Sequence, residues 1–350
     1  MDKLTSRQLK ILEFIRKSGK AGNKEIKKHL EELFGEISRV TIVRDINVLK
    51  RKKLIKKIGK GRGIFYQESV ENKLLQYIDV DEYFQKGPDE RKGIFERFNF
   101  DIFNNFRNIF SKSELIDLER LNKKYGVNIK KIPPAILKKE FERLTIELSW
   151  KSSQIEGNTY SLIDTEILIK ENKEAKGHKK EEAIMILNHK KALDYIFANK
   201  KDFKKMTIRK INDIHRLLVE GLNVFYGIRK KAVGVVGTKY RPLDNEYQLR
   251  EAMENMANLI NKEKNPFFKA LAAVLLISYI QPFEDGNKRT ARLIGDAIFL
   301  AHNVCPLSYR SIDEADYKKA IILFYEQNNV RFFKELFIQQ YKFAVENYFI

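Results

Sequence analysis

The chain has 350 residues, 43% of them hydrophobic, with 67 Lys and Arg against 47 Asp and Glu, a net charge of +20. This length and apolar content exclude a disordered or fibrous chain and fit two or three domains with sizeable cores. Cys305 is the one cysteine, so an intrachain disulfide is excluded and a free, buried thiol in a reducing compartment is expected. The longest apolar run, Ala270 to Ile280, is far short of a membrane-spanning helix, and the opening Met-Asp-Lys-Leu-Thr carries no apolar signal segment. A cytoplasmic location without membrane contact is expected.

The charge is concentrated at the start. Residues 1–70 hold 19 Lys or Arg and 8 Asp or Glu, a net +11, which points to a polyanionic partner, with nucleic acid first. Ser6 can cap a helix with Leu9, Ile11, Leu12, Phe14 and Ile15 inside, ending near Gly19. Asn23 can cap a second helix, with Ile26, Leu30 and Leu33 inside and Gly35 closing it. Ser38 opens a third, with Val40, Ile42, Ile46 and Leu49 as core positions and Arg39, Thr41 and Arg44 outside. Two short strands follow, around Leu54–Ile58 and Ile64–Tyr66, joined by the basic turn Gly59-Lys60-Gly61-Arg62-Gly63. Over 1–70 this pattern resembles prokaryotic winged helix-turn-helix regulators. The resemblance implies DNA binding, the third helix in the major groove through Arg39, Thr41 and Arg44 and the wing on the backbone through Lys60 and Arg62. Protein contact through the same three helices is the competing reading.

Residues 71–133 read as a helical connecting segment, rich in aromatics such as Phe98, Phe103 and Phe110, with turns at Gly87-Pro88-Asp89 and Gly126-Val127-Asn128. The segment is expected to dock on the following domain, with self-association as a homodimer a further expectation. Pro133 and Pro134 then start a helix over about 134–157, with Ile136, Leu137, Phe141, Leu144, Leu148 and Ile155 at helical spacing. Gly157 or Asn158 can end it in a left-handed conformation. At about 227–243, β-branched residues punctuated by Gly227, Gly234 and Gly237 read as a hairpin. Asn265 and Pro266 can begin a buried helix running to Ile280.

That helix leads into Gln281-Pro-Phe-Glu-Asp-Gly-Asn-Lys-Arg-Thr-Ala-Arg292, a loop suited to a polyphosphate. Backbone N–H groups around Gly286, Asn287 and Lys288 can face one concavity, and the N-terminus of the next helix adds partial positive charge. Arg289 and Arg292 are three apart and can grip one anion from a shared helix face. Asp285 can supply a hard oxygen to a metal that arrives with the phosphates. Tyr317 is a candidate wall for a base, with packing an equal alternative, and His215 reads as a structural histidine on a helix.

The loop resembles that of the Fic family of nucleotidyl transferases, which usually reads His-Pro-Phe-x-Asp/Glu-Gly-Asn-Gly/Lys-Arg-x-x-Arg. The first position departs: Gln281 stands where the family has its catalytic histidine, and a carboxamide has no useful basicity near neutral pH. Ser152-Ser-Gln-Ile-Glu156-Gly-Asn158 is similar to the family's inhibitory signature, which implies that Glu156 pairs with Arg292. The 227–243 run resembles the family's flap, which holds a target segment by strand addition. An ordinary surface hairpin is the equal alternative. The resemblance implies a mainly α fold, an all-helical Fic-type core over 134–350 with a small β-hairpin flap, and ATP and Mg²⁺ as cofactors. It also implies AMP transfer to a hydroxyl of an unidentified target protein. With Gln281 in place, two functions stay open, a transferase with impaired or altered catalysis and an inactive nucleotide-sensing transcriptional regulator.

Overall fold

The computed structural model describes residues 4–69, 72–93 and 95–350, except the side chain of Arg62. The fold is mainly helical, and the chain divides into two compact units, Met1–Arg91 and Lys92–Ile350. Among the described residues no helix is long and apolar enough to cross a membrane.

In the first unit, α1 (Ser6–Lys17) is capped by Thr5, one residue before the expected Ser6. The Thr5 hydroxyl accepts from the Gln8 N–H at 3.3 Å, while the Gln8 amide oxygen accepts from the Thr5 N–H at 3.1 Å. This reciprocal box fixes the start more firmly than a lone serine would. The short β1 (Ala21–Gly22) leads into α2 (Asn23–Phe34), whose N-cap is Gly22 and not the expected Asn23. Glu25 supplies the missing side chain by accepting from the Gly22 N–H at 2.6 Å. In α3 (Arg39–Arg51) the expected Ser38 cap is present.

The core of this unit gathers Ile11, Leu12, Ile15, Ile26, Leu30, Ile42, Ile46 and Leu49. Three expected core residues lie outside it: Leu9, Leu33 and Val40 are exposed. On α3 the buried set is 42, 45, 46 and 49, an i, i+3, i+4, i+7 stripe, and Val40 is half a turn from its centre. Asp45, within that stripe, is held by Arg7 and by the Gln8 amide at 2.9 Å. Strands β2 (Ile55–Ile58) and β3 (Phe65–Glu68) pair antiparallel with Ile55 opposite Glu68 and Ile58 opposite Phe65. β1 adds to the far side of β3 to give the order β1-β3-β2. The turn between β2 and β3 requires glycine at 59, where φ is +81° and a Cβ would lie 2.1 Å from the Gly63 carbonyl oxygen. A short helix, α4 (Val80–Phe84), follows, and the Arg91 guanidinium lies over Phe84.

In the second unit, residues 95–111 are largely irregular apart from α5 (Ile102–Asn105), where a helical segment was expected. Aromatic docking decides this course: Phe98 stacks on Tyr279 with ring centroids 4.6 Å apart, and Phe106 meets Phe268 and Phe324 edge-on. The expected turn at Gly126 lies inside α6 (Lys112–Lys131), where Leu118 and Tyr125 are buried and Asn122 accepts from the Tyr341 hydroxyl at 3.0 Å. Tertiary packing here overrides glycine's weak helix preference. Next come α7 (Pro134–Ile155), α8 (Leu162–Glu171), α9 (Lys180–Ala198), α10 (Ile208–Val219) and α11 (Glu246–Lys262). They are followed by α12 (Pro266–Ile280), α13 (Asn287–Ala301), α14 (Glu314–Gln327) and α15 (Arg331–Asn347).

The centre is the pair α12 and α13, buried along nearly their whole length, with α7, α9 and α10 against α13 and α11 and α14 against α12. Gly295 permits this approach, because a Cβ there would sit 2.9 Å from a Val274 methyl. Segment 227–243 contains no strand, contrary to the expected hairpin. The Arg229 N–H donates to the Pro282 carbonyl at 2.9 Å, and its guanidinium donates to the carbonyls of Gln281 at 2.8 Å and Lys231 at 2.6 Å, and to that of Leu243. A side chain therefore takes carbonyls that a hairpin ladder would use. Arg241 makes one isolated parallel bridge to Arg97, and Val236 is 96% exposed.

Candidate functional site

The site is assembled where two helix ends meet. Helix α12 closes at Gln281 in the left-handed region, with φ +51°, so the chain reverses into the loop that starts α13. The Asn287 side chain ties this loop: its amide donates to the Phe283 carbonyl at 2.8 Å, and its oxygen accepts from the Phe283 N–H at 2.9 Å. Gly286 is the N-cap of α13, and its φ of +77° favours glycine, with Val219 and His215 at contact distance from the place a Cβ would take. His215 stacks flat on Phe283, with centroids 3.7 Å apart, and its Nε2 donates to the Asp285 carbonyl at 2.9 Å. Burial lowers the His215 pKa to about 4, against the support of that hydrogen bond. A neutral imidazole therefore holds the loop from below, the structural part expected of it.

The first-turn N–H groups of α13 head this loop, and Arg289 and Arg292 follow on its buried side. Asp285 is the exposed member, its side chain 63% accessible, and it accepts from Arg289 at 2.9 Å. Arg292 is fully buried: Nε donates to the Ser152 hydroxyl at 2.9 Å, while Nη2 donates to the Ser152 carbonyl at 2.7 Å and to Glu156 at 3.0 Å. Its guanidinium also lies over the Tyr317 ring, 5.3 Å from the centroid. The other Glu156 oxygen accepts from Lys288 at 2.8 Å. Burial alone would raise the Glu156 carboxyl, but the Arg292 and Lys288 charges and their hydrogen bonds overcome it and hold the pKa at about 2.

One carboxylate thus occupies two cations of the loop. Arg289 Nη1, Arg292 Nη1 and the Thr290 hydroxyl are buried without a protein partner among the described residues. Buried donors in this condition suit an anionic ligand or ordered water.

Gln281 is nearly buried, and its amide nitrogen donates to the Ser278 carbonyl at 2.7 Å and to the Tyr325 hydroxyl at 3.2 Å. A carbonyl can only accept, so the orientation of the amide is fixed and both of its hydrogens are engaged.

Of the expected site residues, Gly286, Asn287, Lys288, Arg289, Arg292, Asp285, Gln281 and Glu156 come together here. Tyr325 was missed, and Ser152, named in the signature, had been given no contact of its own. Ser152 carried a signal, standing four residues before Glu156 and therefore on the same helix face; Tyr325, 44 residues from Gln281, carried none.

In the first unit, Arg39, Arg44 and Lys60 are exposed, while the Thr41 hydroxyl is only half-buried and is engaged with the Ser38 hydroxyl at 2.9 Å. The Arg62 side chain lies outside the described residues.

Residues 205–299 match the Fic/DOC family model. The chain is 26% identical over 204 residues to the protein adenylyltransferase Fic of Nematostella vectensis, covering 57% of this chain and 47% of that protein. It is 28% identical over 180 residues to the protein adenylyltransferase Fic of Aedes aegypti, covering 49% and 35%. The chain therefore spans less than half the length of these relatives. Among solved structures, Fic-1 (aa134–508) from C. elegans aligns over 99% of this chain and 98% of its own with a TM-score of 0.58 at 14% identity. A Fic domain containing signaling protein from Bacteroides thetaiotaomicron covers 66% and 94%, with a TM-score of 0.57 at 18% identity. At these identities the structural likeness is one of fold.

Proposed function

We propose that the protein binds ATP at the loop over 281–292, held closed by Glu156, and that it is a Fic-type adenylyltransferase with catalysis weakened by Gln281. The observation that carries this reading is the Glu156 carboxylate bridging Lys288 and Arg292 at 2.8 and 3.0 Å. A triphosphate settling on the first turn of α13 needs those cations, so the carboxylate and the phosphates compete for them.

The residues fit Mg²⁺ as a cation carried on the nucleotide. Among the described residues no group of three or more His, Cys, Asp and Glu is placed to hold a metal, while Asp285 offers one exposed carboxylate near the loop. One carboxylate with phosphate oxygens and water is the usual surrounding for Mg²⁺.

In the transfer, a target hydroxyl oxygen bonds to the α-phosphorus and the bond to pyrophosphate breaks. Arg289 and Arg292 stabilise the phosphate charge, and the hydroxyl proton passes to water because Gln281 cannot take it. Segment 227–243, beside the site through Arg229, is the proposed holder of the target.

Helices α1–α3, the sheet order β1-β3-β2 and the net +11 of residues 1–70 support a winged-helix head that binds DNA through α3 and the β2–β3 turn. We further propose that nucleotide and DNA binding are linked. Linkage requires that ATP change DNA affinity by the factor by which DNA changes ATP affinity.

The engaged amide of Gln281 favours a second reading, a nucleotide sensor without turnover. Incubation with ATP and Mg²⁺ followed by intact-mass measurement separates the two. An AMP adduct on the natural protein or on Glu156→Gly establishes a transferase, and nucleotide binding without an adduct on either establishes the sensor. Failure of both proteins to bind ATP contradicts the reading of the loop.

A further inference from the structure

Two valines on α3 lie outside the core of the first unit. Val40, 70% exposed, points away from Ile42, Ile46 and Leu49, and Val43, one helical turn on and 39% exposed, lies at the flank of that buried stripe. A β-branched residue is a weaker helix former than the Lys or Glu common on open faces, and water gains nothing from its methyls. Single exposed apolar residues are ordinary, but this pair is set among Arg39, Arg44 and Asn47, all exposed on the same face. By helical spacing Arg39 neighbours Val43, Val40 neighbours Arg44, and Asn47 lies one turn beyond both Val43 and Arg44.

Cations framing an apolar strip with a carboxamide at its end match one surface closely. In the major groove an A·T pair presents the thymine 5-methyl group beside the adenine N6–H and N7, which a carboxamide can bond in two places. We propose that this face of α3 reads A·T pairs in DNA, Val40 and Val43 packing on thymine methyl groups, Asn47 bonding the adenine edge, and Arg39 and Arg44 gripping the flanking backbone or a guanine. The inference rests on the DNA-binding reading above and assigns what the arginines alone leave undefined, the bases preferred. Both valines lie in the first half of the helix, the part of a recognition helix that faces base edges.

The test uses the full chain and a pair of short alternating duplexes, dA·dT and dA·dU, which differ only in the 5-methyl groups. Fluorescence anisotropy at low salt is expected to give about fourfold tighter binding per buried methyl, about fifteenfold for two, to the dT duplex. The double variant Val40→Ser, Val43→Ser is expected to bind both duplexes equally, at the dU affinity of the natural protein, with an unchanged melting temperature. Arg44→Ala is expected to weaken both duplexes alike and to reduce the salt slope by about one. Equal dT and dU affinity in the natural protein overturns the methyl reading while DNA binding stands. Discrimination that survives the double variant places the reader elsewhere and also overturns it. Loss of self-association in the valine variant, with DNA discrimination unchanged, would make the face a contact between copies. No binding to any duplex removes the DNA reading and this inference together.

Discussion

The loop over 281–292 and the exposed face of α3 both gather arginines, yet they sit in opposite environments. Arg289 and Arg292 are buried, and every oxygen that satisfies them comes from a definite position: Asp285, Ser152 or Glu156. Arg39 and Arg44 stand in water. A buried guanidinium is stable only while it is paired, so its neighbours report its use. An exposed one costs nothing and reports only an excess of charge. The loop can thus be read residue by residue, and the α3 face only through the apolar pair that breaks its pattern.

The sharpest way to press this contrast is at Gln281. In the double variant Gln281→His, Glu156→Gly a base is restored and the clamp removed, and AMP labelling from ATP is expected to rise about 10²- to 10⁴-fold over Glu156→Gly alone. Intact-mass kinetics measure it. A silent double variant would place the lesion outside position 281. Next in size is stability. Arg292→Ala leaves the Glu156 carboxylate half-paired and a buried void, and should cost about 3–5 kcal/mol in denaturant unfolding. Arg39→Ala should stay within about 0.5 kcal/mol. Similar losses at both sites would erase the comparison.

The pH dependence is smaller and has a fixed sign. His215 has a folded pKa of about 4 against an ordinary 6.5, so between these values the unfolded chain binds a proton that the folded chain lacks. Stability therefore falls as pH is lowered through that window, and His215→Asn should flatten the drop in melting temperature between about pH 7 and 5. His189, buried and lowered further by Arg292 and Arg289, acts in the same direction. Glu156 behaves differently: with its carboxyl at about 2 against 4.5, the clamp is complete above the ordinary value and fades only as pH falls towards 2. Nucleotide exclusion by Glu156 should thus be flat from about pH 5 to 9, as ATP titrations across that range would show.

The sequence was legible where chemistry and spacing coincide locally. The loop is contiguous, Glu156 stands just past the end of α7, and the burial stripe 42, 45, 46, 49 follows simple helix geometry. It was less legible where a distant partner decides. Arg229 dissolves the hairpin by reaching carbonyls of Gln281 and Leu243, and Tyr341 and Phe349 pack on α6 and carry the helix through Gly126. The helix starts slipped by one residue because Gln8 and Glu25, three residues downstream, choose the cap.

The central claim is that Glu156 and a nucleotide phosphate compete for Lys288 and Arg292. Calorimetric titration of ATP with Mg²⁺ into the natural protein and into Glu156→Gln, which keeps the side-chain size but removes the charge, tests it most directly. At least tenfold tighter binding by the variant is expected, whereas equal affinity, or tighter binding by the natural protein, would rule the competition out.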